Sequence, residues 1–334
     1  MSDLHYRTFV IANPSAGAGT VKEEWPLIER LLRANLPEFD YAFTEGPAHA
    51  TLMAREALRA GWEMIVSIGG DGTLNEVVNG FFETPDPDDT YHLGELGFLH
   101  PKGLEPVPIN PDAVLGMIPL GTGGDFRRTI GLMGDLAETI DHLQGRATRE
   151  IDLGQVGFFD HSGRLTSRYF INIAAAGISG AVDHHVNKTW KGLGGTASFV
   201  WGTTRAFATW KNIPVEVLLD ETTELRGPMQ NLVVANGEYF GAGMWIAPGA
   251  QIDDGHFQVV VMHDLSRKES LRIFPKIYSG KHLSSRDITR HRAKTIAARK
   301  IEEDTQFLLD VDGEAPGDLP ATWHIHPGAL RIKL

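Results

Sequence analysis

The 334-residue chain contains no cysteine, which excludes disulfide bridges and thiol nucleophiles and agrees with a reducing compartment without requiring one. It has no uninterrupted apolar run of about 20 residues, the length a membrane-spanning helix needs. The opening MSDLHYRTFVIANPSAG shows no basic stretch followed by a hydrophobic core, so no secretory signal is expected and cytoplasmic residence is the default. Neither a repeat nor a low-complexity tract occurs. His184-His185 and His324-x-His326 come in pairs without a third or fourth ligand at zinc spacing, and read as structural or surface residues. Two nucleotide signatures are also missing: the Lys-bearing P-loop, and Gly-x-Gly-x-x-Gly followed by a ribose-binding acid. An ordinary P-loop NTPase or dinucleotide oxidoreductase is thereby disfavoured. An apolar content of 42% over this length is enough for two ordinary cores.

What is present is glycine, 37 residues of it, concentrated at strand ends. Glu63–Ile68 reads as a buried strand and Leu74 to Phe82 as a helix, with Gly69-Gly70-Asp71-Gly72-Thr73-Leu74-Asn75-Glu76 between and into them. Gly69, Gly70 and Gly72 are expected to adopt dihedrals closed to other residues, so that backbone N–H groups converge on phosphate oxygens at a helix N-terminus. Asp71 among those donors would repel a bare phosphate, which points to Mg²⁺ or a direct catalytic role. A tight turn with an Asp cap is the plainer alternative. Two further loops repeat the arrangement. Asn13-Pro14-Ser15-Ala16-Gly17 follows the strand Arg7–Ala12, and Gly121-Thr122-Gly123-Gly124-Asp125-Phe126 follows Val114–Leu120. In a parallel α/β sheet these strand ends share one edge, where ligands bind.

Together with Val311-Asp312-Gly313-Glu314, these motifs resemble the diacylglycerol kinase catalytic-domain family, which includes soluble bacterial lipid kinases, sphingosine kinases and ceramide kinases. The likeness runs from about Thr8 to the C-terminus. It implies a Rossmann-like parallel α/β nucleotide-binding domain of the NAD kinase/diacylglycerol kinase type, followed by a C-terminal β-sandwich domain. It implies that Asn13–Gly17, Thr44, Gly69–Glu76, Gly121 and Thr122 contact ATP, and that Glu314 accepts a proton. Asp71, Asp125 and Asp152 match acidic positions of the active-site Mg²⁺ network. Gln251, Asp254 and His256 match a second, structural Mg²⁺ site in which backbone carbonyls take part. A homodimer is also implied. One position departs from the family: Gly124 stands where Asn usually precedes the Asp of the third loop.

The chain reads as two halves. Residues 1–148 alternate strands (7–12, 39–44, 63–68, 114–120) with helices (20–34, 48–60, 73–82, 134–144), and an insertion over 83–112 shows neither helical nor strand periodicity. Residues 149–334 form a β-rich lipid-substrate domain with strands near 150–158, 168–174, 214–219, 230–236, 257–262, 294–299, 306–311 and 323–333. An aromatic helix over 196–210 suits either an acyl-chain cleft or the second core, and Lys188 and Lys191 before it suit membrane docking or plain surface. The chain carries −12 overall, yet Asp264–Lys300 holds eleven Lys/Arg against three Asp/Glu, a local +8 that leaves −20 elsewhere. A basic face of this kind fits peripheral contact with an anionic membrane. Nucleic acid is not expected, since the remaining surface is acidic and no recognition module occurs.

The mechanism expected is Mg²⁺-dependent transfer of the γ-phosphate of ATP to the hydroxyl of diacylglycerol or a related lipid alcohol, a sphingoid base or ceramide included. The two alternatives are a kinase of a soluble substrate such as NAD, whose family also uses Gly-Gly-Asp-Gly turns, and a catalytically weak lipid-binding regulator, a reading motivated by Gly124.

Overall fold

Met64–Gly69 is buried at every residue, as a parallel strand covered by helices on both faces must be. The computed structural model describes residues 5–84, 86, 90–103, 105–121, 123–182, 210–302 and 304–333. It divides into two compact units. The first takes residues 1–84, 106–152 and 328–334, and the second takes 85–105 and 153–327.

In the first unit Thr8–Ala12 (β1), Thr20–Asn35 (α1), Phe39–Phe43 (β2), His49–Arg59 (α2), Met64–Gly69 (β3) and Asp71–Asn79 (α3) alternate as the hydrophobic pattern predicts. The chain then enters the second unit, where Tyr91–Leu93 (β4) and Leu99–Pro101 (β5) pair as a short hairpin inside the stretch read as structureless. It returns for Val114–Pro119 (β6), Asp125–Thr129 (α4) and Leu136–Asp141 (α5). The parallel strands lie in the order β2-β1-β3-β6. The chain moves outward from β1 to β2 and then back across to β3, which puts the topological switch point at the carboxyl ends of β1 and β3. Val21, Trp25, Ile28 and Leu32 form one stripe of α1 against Val10, Ala12, Met64, Val66 and Ile68.

Arg149–Asp160 (β7) leads into the second unit, with Leu165–Phe170 (β8), Ile173–Gly177 (β9), Ile213–Leu219 (β10), Thr223–Met229 (β11) and Asn231–Ala235 (β12). There follow Tyr239–Phe240 (β13), Met244–Trp245 (β14), Phe257–Met262 (β15), Arg267–Ile277 (α6), Ile288–Ala293 (β16), Thr295–Lys300 (β17), Leu309–Val311 (β18) and Gly317–Ile332 (β19). One antiparallel array runs β11-β10-β17-β19, with β7 and β8 beyond, and the other runs β16-β15-β12-β9-β18. Alternate side chains explain the layering. Val215 and Val217 of β10 meet Leu232, Val234, Val259 and Val261 in the sandwich core. The intervening Val233, Ala235, Val260 and Met262 face outward beneath Ile273 and Ile277 of α6. The last residues of β19 belong to the first unit, where Arg331 and Ile332 pair in parallel with Val114 and Leu115 of β6.

β11 and β16 are absent from the strands expected. Each reads as polar: Thr223–Met229 contains Gly227 and Pro228, and Ile288–Ala293 is Ile-Thr-Arg-His-Arg-Ala. Both lie at sheet edges, where half the residues face solvent and the apolar signal fades. The helix expected over 196–210, apart from Trp210, lies outside the described residues, as do Lys188 and Lys191. Trp210 packs against Phe307, with ring centroids 5.8 Å apart. No described helix is long and apolar enough to cross a membrane.

Candidate active site

Because β1, β3 and β6 are parallel, the loops that follow them emerge on one edge, and side chains and backbone then lock them together. The Asn13 side-chain amide donates to Thr73 Oγ1 (3.0 Å), and its backbone amide donates to the Ile68 carbonyl (2.9 Å). The Leu120 amide donates to the Gly69 carbonyl (2.9 Å), and the Thr44 amide to that of Ala12 (2.9 Å). Pro14, Ser15 and Ala16 continue the first loop as an Asx turn, the Ser15 amide donating to Asn13 Oδ1 (3.0 Å) and the Ala16 amide to the Asn13 carbonyl (3.1 Å). Asn13–Gly17, Thr44, Gly69–Thr73 and Gly121 are thus gathered in one place. Thr122 lies outside the described residues.

In the second loop and at Gly121 the glycines serve close approach rather than unusual dihedrals. Gly69, Gly70 and Gly72 all keep ordinary φ values, which corrects the sequence expectation. A Cβ on Gly69 would stand 2.6 Å from Thr73 Oγ1, and one on Gly121 only 2.3 Å from Gly70 Cα, whereas Gly72 faces open space. Gly121→Ala must therefore push the second and third loops apart, backbone against backbone. It is expected to lower stability by about 1–3 kcal/mol, read as a drop in the urea midpoint.

The helix that opens from the second loop leaves its first amides available: α3 starts at Asp71 after Gly70, and no described side chain caps it, whereas the first amide of α1, that of Thr20, donates to the Gly17 carbonyl. First-turn N–H groups without partners, at the positive end of a helix, are a ready anion site.

Asp71 spans two loops. Its carboxylate accepts the amides of Asp125 (3.2 Å) and Phe126 (3.4 Å), capping the first turn of α4. Arg128 Nη1 reaches Asp125 Oδ1 (3.3 Å) and clamps the carbonyls of Gly123 (2.5 Å) and Gly124 (2.8 Å). A Cβ on Gly123 would lie 2.8 Å from Asp71 Oδ2 and 3.8 Å from Asp125 Oδ2, so both carboxylates border a gap that glycine keeps open. Two acidic oxygens around such a gap suit a hard divalent cation. Gly124 is left-handed (φ 60°), a conformation that Asn also tolerates. A Cβ there would come 2.8 Å from Arg127 Nε.

Other expected residues also have structural contacts. Leu74 and Asn75 are buried, and the Glu76 carboxylate accepts the amides of Ala48 (2.9 Å) and Ala50 (3.1 Å), capping α2. Asp152 is buried and accepts the Gly328 amide (2.9 Å), bracing β7 against the end of β19. In the second unit Asp254 pairs with Arg292 (2.7 Å) and accepts the His256 amide (3.0 Å), while Gln251 is exposed. That turn holds itself together by hydrogen bonds, and no group of three acidic or histidine side chains among the described residues forms a metal site.

Glu314 is displayed by a tight turn. Asp312 (φ 48°) and Gly313 (φ 88°) are both left-handed, and Val311 and Glu314 exchange backbone hydrogen bonds (2.8 and 3.1 Å), as in a type I′ hairpin. Asp312 secures it by accepting the amides of Ile171, Asn172 and Ile173 at 3.0–3.2 Å. Arg168 Nη1 donates to Glu314 Oε2 at 2.5 Å and orients the carboxylate. Sequence reasoning missed Arg168 and the Gly123 gap. Arg168 is 146 residues from its partner, and no spacing rule connects them.

Residues 7–156 match the diacylglycerol kinase catalytic domain, and residues 172–334 match the YegS C-terminal NAD kinase beta sandwich-like domain. A diacylglycerol kinase of Staphylococcus haemolyticus is 29% identical over 315 residues, covering 94% of this chain and 84% of the relative. One of Staphylococcus carnosus is 27% identical over 321 residues, covering 96% and 92%. A crystal structure of a diacylglycerol kinase from Bacillus anthracis shares the fold, with a TM-score of 0.65 at 21% identity over 98% of this chain and 96% of that one. With its two family domains in order and the glycine loops joined at the switch point, the chain belongs to the diacylglycerol kinase catalytic-domain family and is a lipid kinase.

Proposed function

We propose that the protein transfers the γ-phosphate of ATP to the hydroxyl of diacylglycerol or a closely related lipid alcohol, in a Mg²⁺-dependent reaction. The observation that carries this reading is the convergence of three glycine loops and the uncapped N-terminus of α3 around the Asp71–Asp125 gap. Amides at 71–73, at the start of α3, bind and orient the phosphates. Asp71 and Asp125, whose carboxylates border the Gly123 gap, would hold Mg²⁺, which would neutralise charge on the phosphates. Arg128 keeps the third loop in place. Glu314 takes the proton from the lipid hydroxyl as its oxygen bonds to the γ-phosphorus, the bond from that phosphorus to the β–γ bridging oxygen breaks, and ADP leaves.

The test is transfer of labelled γ-phosphate from ATP to a panel of diacylglycerol, monoacylglycerol, ceramide, sphingosine, phosphatidylglycerol and NAD. Label in diacylglycerol supports the proposal; label in NAD alone, or in nothing, sinks it. Gly123→Ala puts a methyl group into the gap and is expected to raise the Mg²⁺ concentration for half-maximal transfer by about tenfold or more. Its thermal melting should stay within about 2 °C of wild type, since only side-chain ends border that methyl.

A further inference from the structure

α6 is anchored as a rigid element: Ser266 and Glu269 form a capping box at its start, and Ser270, Ile273 and Ile277 are buried beneath it. Its opposite face is unusual for a solvated helix. Arg267, Lys268, Arg272 and Lys276 are exposed there, and Leu271 between them is 66% exposed. Tyr278 follows at 47%, and Lys281 continues the cationic row. Elsewhere in the basic segment Arg286, Arg292, Arg299 and Lys300 have carboxylates within ion-pair distance. The helix cations have no such partner among the described residues.

We infer that this face is a docking surface for an anionic lipid bilayer, an inference that rests on the lipid-kinase reading above. Cations at this spacing meet anionic headgroups, while a projecting leucine and a tyrosine ring suit the depth just below them. A nucleic-acid backbone would use the cations but leave Leu271 in water. A second copy presenting the same face would be repelled by it. The chain outside 264–300 sums to −20, so a negative surface favours approach through this face, and docking also biases the orientation.

The experiment uses the full chain and vesicles of phosphatidylcholine with or without phosphatidylglycerol, read by co-sedimentation. Wild type is expected on the anionic vesicles only, with binding that weakens as salt rises. Each cation removed should weaken it about fivefold, so Lys268→Gln/Arg272→Gln/Lys276→Gln loses roughly a hundredfold. Leu271→Ser with Tyr278→Ser should lose a further part that salt does not reproduce. Transfer to a short-chain diacylglycerol dispersed without vesicles should remain at the wild-type rate in all variants. Wild-type protein that ignores anionic vesicles overturns the inference, as do variants that bind them like wild type. An altered sedimentation coefficient in place of lost vesicle binding points to an interface between copies and overturns it too. Vesicle binding without transfer to any lipid supports docking and tells against the kinase reading, so the two fail separately.

Discussion

Glu314→Gln is expected to lower the turnover number for phosphoryl transfer by about 10²–10⁴-fold, the range for loss of a positioned general base. The substitution keeps side-chain shape and leaves an oxygen to accept from Arg168, so the half-buried guanidinium keeps a partner and the turn keeps its Asp312 bonds. Thermal melting should therefore match wild type, and the KM for ATP should change little, because nucleotide contacts come from the glycine loops. A variant that transfers phosphate at more than a tenth of the wild-type rate would remove Glu314 from the mechanism. The comparison with Asp71→Asn separates the two carboxylates: Asp71 also caps α4, so that variant should lose stability together with rate.

The second large effect is a pH dependence in the second unit. His324 is pushed down to about 3, first by burial and then by His326 beside it. Its Nδ1 faces the Tyr91 hydroxyl at 3.4 Å, and the rings of His324 and His326 are 4.6 Å apart. His326 is shifted in the same direction by burial, against the pull of Glu105. A histidine kept neutral in the fold binds fewer protons than the unfolded chain at any pH between its folded value and the ordinary 6.5. Stability is thus full above about 7, falls as pH drops through 6.5, and levels off near 3. Between pH 7 and 5 the His324 contribution amounts to a loss of about 2 kcal/mol. Urea unfolding of wild type and His324→Gln at both pH values measures it: the loss should shrink by about that amount in the variant, and equal losses in both would refute the assignment.

Much of the α/β unit is legible in the sequence because strand, glycine turn and amphipathic helix each leave a local pattern, and Leu74, Val77 and Val78 recur at helical spacing. The Asp312-Gly313 turn is legible for the same reason, being chemistry of adjacent residues. What depends on distant neighbours is not. The reason for Gly121 is Gly70, fifty-one positions earlier, and no dihedral preference announces it. Glu76 reads as part of a nucleotide motif but spends both carboxylate oxygens on α2, which only the packing of two helices reveals. The hairpin of Tyr91–Leu93 with Leu99–Pro101 is too short to show a period, and Tyr91 fills the space left by Gly157 rather than any pattern of its own.

The first unit takes its final strand from residues 328–333, and this shapes how the chain can be made. Arg331 and Ile332 complete the edge of β6, the Lys333 amide bonds the Leu115 carbonyl (2.9 Å), and the buried Lys333 ammonium is held by the carbonyls of Gln144 (2.7 Å) and Gly145 (3.1 Å). On a ribosome, everything else in that unit is synthesised before residue 153 is added, while the strand that closes it waits for residues 153–327. At about 5–20 residues per second the apolar edge at Val114 and Leu115 stays bare for roughly 10–35 seconds. An unpaired edge is a template for pairing with another nascent chain, so crowded polysomes are where this fold is most exposed to misassembly.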